Sequence, residues 1–256
     1  MYCIQQKDPD TQSTWIKCEF NTQSYSDCTS PANLQKNPYL SNRIAELSPD
    51  STMKILLDPG HGLNTPGKRS PDGTLLEAAY NREIAQLTLS QLQAKGYDAQ
   101  LLVPETEDIP LKERVRRVNA HCTALGKTNV ILISIHVNAA GDGTKWMNAT
   151  GWSCYTCKGQ TESDRLADCL YKAAEQILEN QVIRTDYARD GDPDWEENFY
   201  ILRHSLCPAV LLEQFFMDNK KDLAYLISNE GKRNLIDVIV GGLEVFCSLS
   251  FPFHEH

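Results

Sequence analysis

The sequence predicts an α/β fold: a single mostly parallel or mixed twisted sheet of about six strands, flanked by helices. From Met53 onward, short apolar runs alternate with amphipathic stretches of helical period, the pattern of a parallel sheet covered by helices. One run, Asn129–Ile135, is almost continuously β-branched or apolar, as expected for a central strand that is buried on both faces. The chain has 256 residues, which is long enough to bury a substantial core.

In the first half of the predicted domain, each element has its own signal. Lys54–Asp58 is a short apolar strand, and Glu77–Lys95 is an amphipathic helix that ends at Gly96. Asp98–Val103 predicts the second strand. Another helix starts at Pro110, a residue that suits the first helical position. Its apolar residues recur at intervals of three and four: Leu111, Val115, Val118, Cys122 and Leu125.

The second half continues the alternation after the central strand. Ala149–Cys157 predicts a further strand, and Thr161 with Asp164 predicts the capping box of a helix. Asn198–Arg203 and Pro208–Glu213 predict two short strands around a turn. Two closing helices follow, Lys220–Ser228 and Gly231–Cys247.

Residues 1–52 differ in composition from the rest of the chain. They are rich in Gln, Asn, Ser, Thr and Asp and show no sustained hydrophobic period, which predicts a loosely ordered N-terminal extension. We therefore assign residues 1–52 to this extension and residues 53–250 to one compact domain.

Composition argues against two classes of function. Hydrophobic residues make up 41% and charged residues 23% of the chain, which is ordinary for a globular protein. The net charge of −9 argues against a general nucleic-acid binder, because such binding depends on neutralising phosphates with Lys and Arg. No segment approaches the roughly 20 apolar residues of a membrane span, and no signal peptide is visible at the N-terminus. We expect a monomer.

Nine cysteines are spread along the chain. A full disulfide framework is not expected in a chain with a substantial core. Cys154 and Cys157 form a lone C-x-x-C, which we interpret as ordinary strand residues. Half of a structural zinc site and a redox pair are the alternatives.

Four polar residues stand where a strand ends or a helix begins. His61, His136 and Glu213 each follow an apolar strand, and Glu77 opens the first helix. Ligands of an open α/β sheet bind outside the carboxyl ends of its strands. Two imidazoles and one carboxylate supply the three protein ligands of a catalytic zinc, and the second carboxylate is spare. Position alone leaves open a second interpretation. In it His61 is a turn residue, His136 is a core histidine, and the two glutamates only mark the ends of helices or strands.

Ordered motifs surround these four residues. The chain contains, in this order, Leu57-Asp-Pro-Gly-His-Gly62, Leu76-Glu-Ala-Ala-Tyr-Asn81, Ser134-Ile-His-Val-Asn-Ala139 and Pro208-Ala-Val-Leu-Leu-Glu213. From about Met53 to Cys247 the sequence resembles the zinc-dependent N-acetylmuramoyl-L-alanine amidases of the amidase-3 class. Within that class it resembles most closely the compact phage-type or prophage-type lysins.

The resemblance implies that His61, Glu77 and His136 hold one Zn²⁺ ion and that Glu213 is the catalytic carboxylate. The implied partner is peptidoglycan, and the implied reaction cleaves the amide between N-acetylmuramic acid and the L-alanine of the stem peptide. The implied place of action is the cell wall, periplasmic or extracellular, with the protein held in the cytoplasm until its release. The sequence also leaves open the exchanged roles, with Glu213 as the ligand and Glu77 as the base.

Further residues are candidates for contacts with substrate or with the ligands. Lys68 and Arg69 follow the first histidine in a turn and would meet substrate carboxylates, unless that turn is only a solvated loop. Asn138 would orient a histidine ligand or bind substrate, and Arg203 precedes the last strand. Asp58 would tie the loop that carries the first histidine, unless it only caps a turn.

An acidic loop at residues 190–197 has no role in this scheme. It fails as an EF-hand calcium loop, because Ile201 occupies the position of the bidentate Glu. A mobile flap over substrate and a plain acidic turn are the remaining interpretations.

Two other functions compete with the amidase. A zinc carboxypeptidase or related metallopeptidase acting on wall peptides usually has Glu three residues after the first His, where this chain has Asn64. A non-catalytic wall-binding module would have no need for a catalytic carboxylate such as Glu213.

Overall fold

The computed structural model describes residues 2–7, 14–19, 53–189 and 191–250. The chain forms two units, residues 1–48 and 49–256. In the first unit, Tyr2–Lys7 (β1) pairs antiparallel with Thr14–Glu19 (β2). The rest of the predicted extension at 1–52 lies outside the described residues, so its loose order stays a prediction.

The second unit is built on a six-stranded mixed sheet, which confirms the predicted fold class. Its strands are Lys54–Pro59 (β3), Asp98–Leu101 (β4), Val130–Asn138 (β5), Ser153–Thr156 (β6), Trp195–Glu196 (β7) and Ala209–Phe216 (β8). Their spatial order is β4-β3-β5-β8-β6-β7. The first four strands of that order are parallel, whereas β6 runs antiparallel to β8 and β7 runs parallel to β6.

Helices cover both faces of this sheet. They are Glu77–Ala94 (α1), Leu111–Leu125 (α2), Glu162–Ile177 (α3), Tyr200–His204 (α4), Lys220–Ile227 (α5) and Asn229–Ser250 (α6). Ile133 and Leu212 join the core shared with α1, α3 and α6, while Leu132 and Leu211 join the core shared with α2 and α4. Adjacent residues of β5 and β8 point to opposite faces, so these central strands are buried on both sides. None of the described helices is long and apolar enough to span a membrane.

The predicted strand at Asn198–Arg203 is wrong. Tyr200–His204 forms a short helix instead, in which the backbone N–H of Arg203 donates to the carbonyl of Phe199 at 2.9 Å. This is the helical spacing of four residues. The edge strand β7 has only two residues and is not predicted by the hydrophobic pattern.

One local prediction is confirmed, and another holds for one of its two residues. Thr161 Oγ1 accepts a hydrogen bond from Ser163 N at 3.1 Å, and the Asp164 carboxylate accepts one from Thr161 N, which completes the capping box of α3. Cys154 is a buried residue of β6, and Cys157 follows that strand directly.

Candidate metal centre

Three of the predicted residues converge at the carboxyl edge of the sheet. His61 follows β3, Glu77 opens α1, and His136 lies near the end of β5. Glu77 Oε1 is 3.3 Å from His61 Nε2 and 3.2 Å from His136 Nδ1. The imidazole ring centroids are 5.0 Å apart with 86° between the ring planes, so both rings turn a nitrogen toward the same oxygen.

Glu77 is a buried carboxylate that is held in its ionised form. Its exposed fraction is 1%, and the backbone N–H of Val137 donates to Oε1 at 3.2 Å. Burial opposes ionisation, but hydrogen bonds from His136 and His61 outweigh it and keep the pKa of Glu77 far below its usual range. The second oxygen, Oε2, is buried without a hydrogen-bond partner among the described residues, which leaves it available to a cation.

The donor set fits a divalent metal ion. One atom from each of His61, Glu77 and His136 lies within 4.8 Å of the other two. Two imidazole nitrogens and one carboxylate oxygen therefore surround a single point, with a buried oxygen of Glu77 still unpartnered. Because a buried polar atom without a partner is unfavourable, this orphan oxygen supports a site made for an ion.

The backbone at His61 is held in an unusual conformation by a buried ion pair. Its φ is 62°, a region that residues other than glycine seldom adopt. Arg114 donates to the carbonyl of Pro59 at 2.8 Å and to that of His61 at 3.2 Å. Asp58 accepts from the same guanidinium at 2.6 Å and from Ser134 Oγ at 2.8 Å. The structure thus confirms that Asp58 ties the loop, through Arg114.

Gly60 provides the space that the second histidine needs. A Cβ atom built at Gly60 would lie 2.2 Å from His136 Cε1. The backbone N–H of Gly60 also donates to the carbonyl of Ile135 at 2.9 Å. The chain therefore passes in direct contact with the imidazole, and only glycine fits there.

Glu213 faces the same cleft from the neighbouring strand. It is the register partner of His136 in the pairing of β5 with β8. Burial raises the pKa of Glu213 to about 8, and the charge of Glu77 adds to the increase, whereas Lys68 lowers it. The two carboxylates therefore differ: Glu77 stays ionised, and Glu213 can take up a proton near neutral pH.

A cleft of about 510 Å³ opens over these residues. Lys68 and Asn138, both predicted to contact substrate or ligands, line it. Asn138 Oδ1 accepts from Ala139 N at 2.8 Å, so this oxygen is engaged with its own loop. The rest of the rim is largely apolar, with Ile109, Leu111, Phe199, Tyr200 and Met217.

Two predicted residues lie outside this cleft. Arg203 is exposed and lines a separate groove with Met53 and Pro208, at the opposite edge of the sheet. The helical turn of α4 accounts for this, because it directs Tyr200 to the cleft and Arg203 away from it. Arg69 is also exposed and does not line the cleft.

Arg114 is a functional residue to which the sequence pattern alone assigns no role. The available signal is its position: a basic residue directly before Val115, on the apolar side of α2, where it is buried. Buried arginines are rare unless they are paired, and a paired arginine needs a carboxylate such as that of Asp58.

Comparison with known proteins gives a consistent result. A profile of the N-acetylmuramoyl-L-alanine amidase family matches residues 55–245, which include all four residues of the centre.

Individual relatives agree with this match. N-acetylmuramoyl-L-alanine amidase AmiC of Neisseria meningitidis is 27% identical, with 77% of this chain and 53% of the relative covered. The probable cell wall amidase LytH of Staphylococcus aureus is 25% identical, with 82% and 63% covered. The crystal structure of an N-acetylmuramoyl-L-alanine amidase from Clostridium difficile 630 is 27% identical, covers 77% of this chain and 97% of its own, and superposes with a TM-score of 0.61. The chain therefore spans about half the length of the Neisseria relative.

Proposed function

The chain belongs to the N-acetylmuramoyl-L-alanine amidase family, and we propose that it hydrolyses the amide bond between N-acetylmuramic acid and the L-alanine of the peptidoglycan stem peptide. The observation that carries this proposal is the convergence of His61, Glu77 and His136 beside Glu213 in an open cleft. An amide is a poor electrophile with a poor leaving group. Its hydrolysis needs an activated water, a polarised carbonyl and a proton for the departing nitrogen.

We infer that His61, Glu77 and His136 hold one zinc ion. Two imidazole nitrogens and a carboxylate oxygen are a common ligand set of catalytic zinc, which keeps its fourth position open. When bound, zinc supplies a Lewis acid that polarises the carbonyl and lowers the pKa of water in the site to about 7. The ionised state and orphan oxygen of Glu77 support this assignment.

The contrast between the two carboxylates supports a division of roles. Glu77 lies between both imidazoles and is held ionised, as a metal ligand must be. Glu213 has a buried oxygen without a hydrogen-bond partner among the described residues and a raised pKa. A catalytic acid–base group needs a pKa near the working pH, so we assign that role to Glu213.

Glu213 moves one proton through the reaction. It accepts a proton from the attacking water as the water oxygen bonds to the carbonyl carbon. It then donates that proton to the alanine nitrogen as the C–N bond breaks, which yields a lactyl carboxylic acid and a free amine. The acid then ionises, and the second proton of the water passes to the amine or to solvent. General acid–base catalysis of this kind typically contributes about 10²–10⁴-fold.

Lys68 and Asn138 are the proposed substrate contacts. Both line the cleft, and the Lys68 ammonium is close enough to lower the pKa of Glu213. A stem peptide carries free carboxylates, which an ammonium attracts. Arg69 and Arg203 lie outside the cleft and are given no part in the reaction.

The substrate determines where the reaction takes place. Peptidoglycan forms the cell wall, so we propose that the protein acts there. Action as a monomer remains a prediction, which light scattering coupled to size-exclusion chromatography would check.

The experiment that tests the proposal is digestion of purified peptidoglycan sacculi by the wild type, with and without a zinc chelator. We expect new free amino groups on L-alanine, no new reducing sugar ends, and no activity in the chelator. Released D-alanine would identify a carboxypeptidase, and new reducing ends would identify a glycosidase; either result overturns the proposal.

The Glu213→Ala variant is the matched control for the chemistry. It should bind sacculi as the wild type does but release no L-alanine amines. Sacculus binding by the wild type without any hydrolysis would instead identify a wall-binding module.

A further inference from the structure

A second group of acidic residues lies apart from the proposed zinc centre. Asp164 stands in the first turn of α3, and Asp192 and Asp194 lie in the loop before β7. One carboxylate oxygen from each lies within 4.8 Å of the other two. Asp194 is 0% and Asp164 8% exposed. We call these three residues the aspartate group; none of them lines the cleft.

Protein donors satisfy only one of the two carboxylate oxygens in each of Asp164 and Asp194. Asp194 Oδ2 accepts from Thr156 Oγ1, and Asp164 Oδ2 accepts from Thr161 N. The Oδ1 atoms of Asp194 and Asp164 are buried without a hydrogen-bond partner among the described residues. Carboxylate oxygens that lose water without gaining a donor or a cation are strongly unfavourable. These two unpartnered oxygens therefore point to a ligand.

Among the ion pairs of the described residues, none joins Asp164 or Asp194 to a Lys or Arg. One oxygen from each of the three carboxylates lies within 4.8 Å of the other two, so ionised carboxylates would repel one another there. Either a cation or protons must therefore offset the repulsion between these carboxylates.

We propose that Asp164, Asp192 and Asp194 bind a calcium ion. Carboxylate oxygens are hard ligands, and the group contains neither the imidazole nor the thiolate that zinc favours. Calcium accepts irregular sets of six to eight oxygens, with bidentate carboxylates and water among them, whereas magnesium demands near-ideal octahedral geometry. The failed EF-hand pattern of loop 190–197 is no objection, because one ligand comes from α3 and the site is assembled only by the fold.

Such an ion would hold the edge of the sheet together. Asp194 directly precedes Trp195 of β7, whose ring lies 6.2 Å from that of Tyr155 in β6. Tyr155 in turn contacts Phe199, a residue of the cleft rim, with 5.4 Å between ring centroids. Calcium would thereby stabilise β7 and the wall of the cleft next to it.

The test is calcium binding by the full chain, with its zinc site loaded so that only the aspartate group is measured. Isothermal titration with CaCl₂ should give one ion per chain. The melting temperature should rise by about 4 °C or more at saturating calcium. Asp194→Asn should abolish both signals. Glu197→Gln, which removes the same charge from an exposed residue of the same loop, should keep both.

Other outcomes decide against the site. No heat and no change in melting temperature with calcium would overturn it, and so would a response to magnesium alone. A gain in stability of Asp194→Asn, with no calcium response in the wild type, would show instead that the carboxylates share protons. If Asp194→Asn does not fold, Asp192→Asn replaces a less buried ligand of the group and must abolish the calcium response.

Discussion

The proposed zinc centre and the aspartate group bury carboxylates of the same chemical type in opposite electrostatic environments. Glu77 meets two imidazoles and a backbone N–H, and its pKa falls. Asp194 is buried without a basic partner among the described ion pairs; burial raises its pKa, and two other carboxylates add to the increase. Burial alone therefore does not determine the charge of an acid; the groups around it do. The same contrast predicts which ion each site favours: mixed nitrogen and oxygen donors suit zinc, and oxygen alone suits calcium.

A third buried carboxylate needs no bound ion, because a basic side chain of the protein neutralises its charge. Asp58 pairs with Arg114 at 2.6 Å, and both side chains are buried. Arg114→Ala should break this compensation and lower the free energy of unfolding by about 3–5 kcal/mol, because it leaves an unpaired buried charge. Urea denaturation measures the loss.

Arg116→Ala is the matched control for that substitution. Arg116 is exposed and pairs with Glu113 within one helical turn, so its loss should leave the free energy of unfolding almost unchanged. If both variants lower the free energy of unfolding equally, burial does not make the Arg114–Asp58 pair more stabilising than an exposed ion pair.

The zinc centre should be sensitive to added volume as well as to charge. Gly60→Ala places a methyl group against the His136 ring, and we expect zinc affinity to fall about 10–100-fold, as for other changes that displace a ligand. Competition with a chromophoric chelator measures this affinity. Gly241→Ala, whose Cβ would meet only Ala173 at 3.8 Å, should leave it unchanged. An unaltered affinity in Gly60→Ala would mean that the His136 ring is not a fixed ligand.

The aspartate group should make stability depend on pH when calcium is withheld. The pKa of Asp194 is higher in the folded chain, at about 7, than its ordinary value of 3.8. Its favourable contribution is therefore fully present below pH 3.8 and is lost as the pH rises through about 7. Relative to Asp194→Asn, the wild type should lose about 1–2 kcal/mol over this interval, after allowance for solvent screening. Urea denaturation in the presence of a calcium chelator measures the free energy of unfolding of both proteins at each pH. If the two proteins show the same dependence on pH, the prediction is contradicted.

The smallest expected effect separates the helix cap from the ion site. Thr161→Ala removes the Oγ1 acceptor for Ser163 N and should cost about 1 kcal/mol of stability. Asp164 keeps its carboxylate, so the rise in melting temperature with calcium should persist. Loss of that rise would show that the cap, rather than the aspartate group, carries the response.

The sequence predicts the proposed zinc centre better than it predicts the aspartate group, for a physical reason. His61, His136 and Glu213 each follow an apolar run that predicts a strand, and parallel strands end at one edge of the sheet. A local signal therefore implies a long-range arrangement. The aspartate group joins the start of α3 to the loop before the two-residue strand β7, and no period in the sequence brings these segments together.

The wrong prediction of a strand at Asn198–Arg203 also has a physical reason. A short helix forms at Tyr200–His204, too short for a helical period to be distinguished from a strand. Arg203 is a site candidate because it precedes the last strand, and the turn of α4 directs it to the opposite groove. The role of Arg114 depends on burial against Asp58, which only the folded chain defines.

The central claim is that Glu77 binds the metal while Glu213 moves the proton, and one paired measurement tests it most directly. Glu77→Gln and Glu213→Gln are purified under the same conditions, and zinc content is measured beside amine release from sacculi. We predict that Glu77→Gln loses zinc and activity together. Glu213→Gln should keep about one zinc per chain while activity falls about 10²–10⁴-fold. Zinc retained in Glu77→Gln and lost from Glu213→Gln would contradict the account and exchange the two roles.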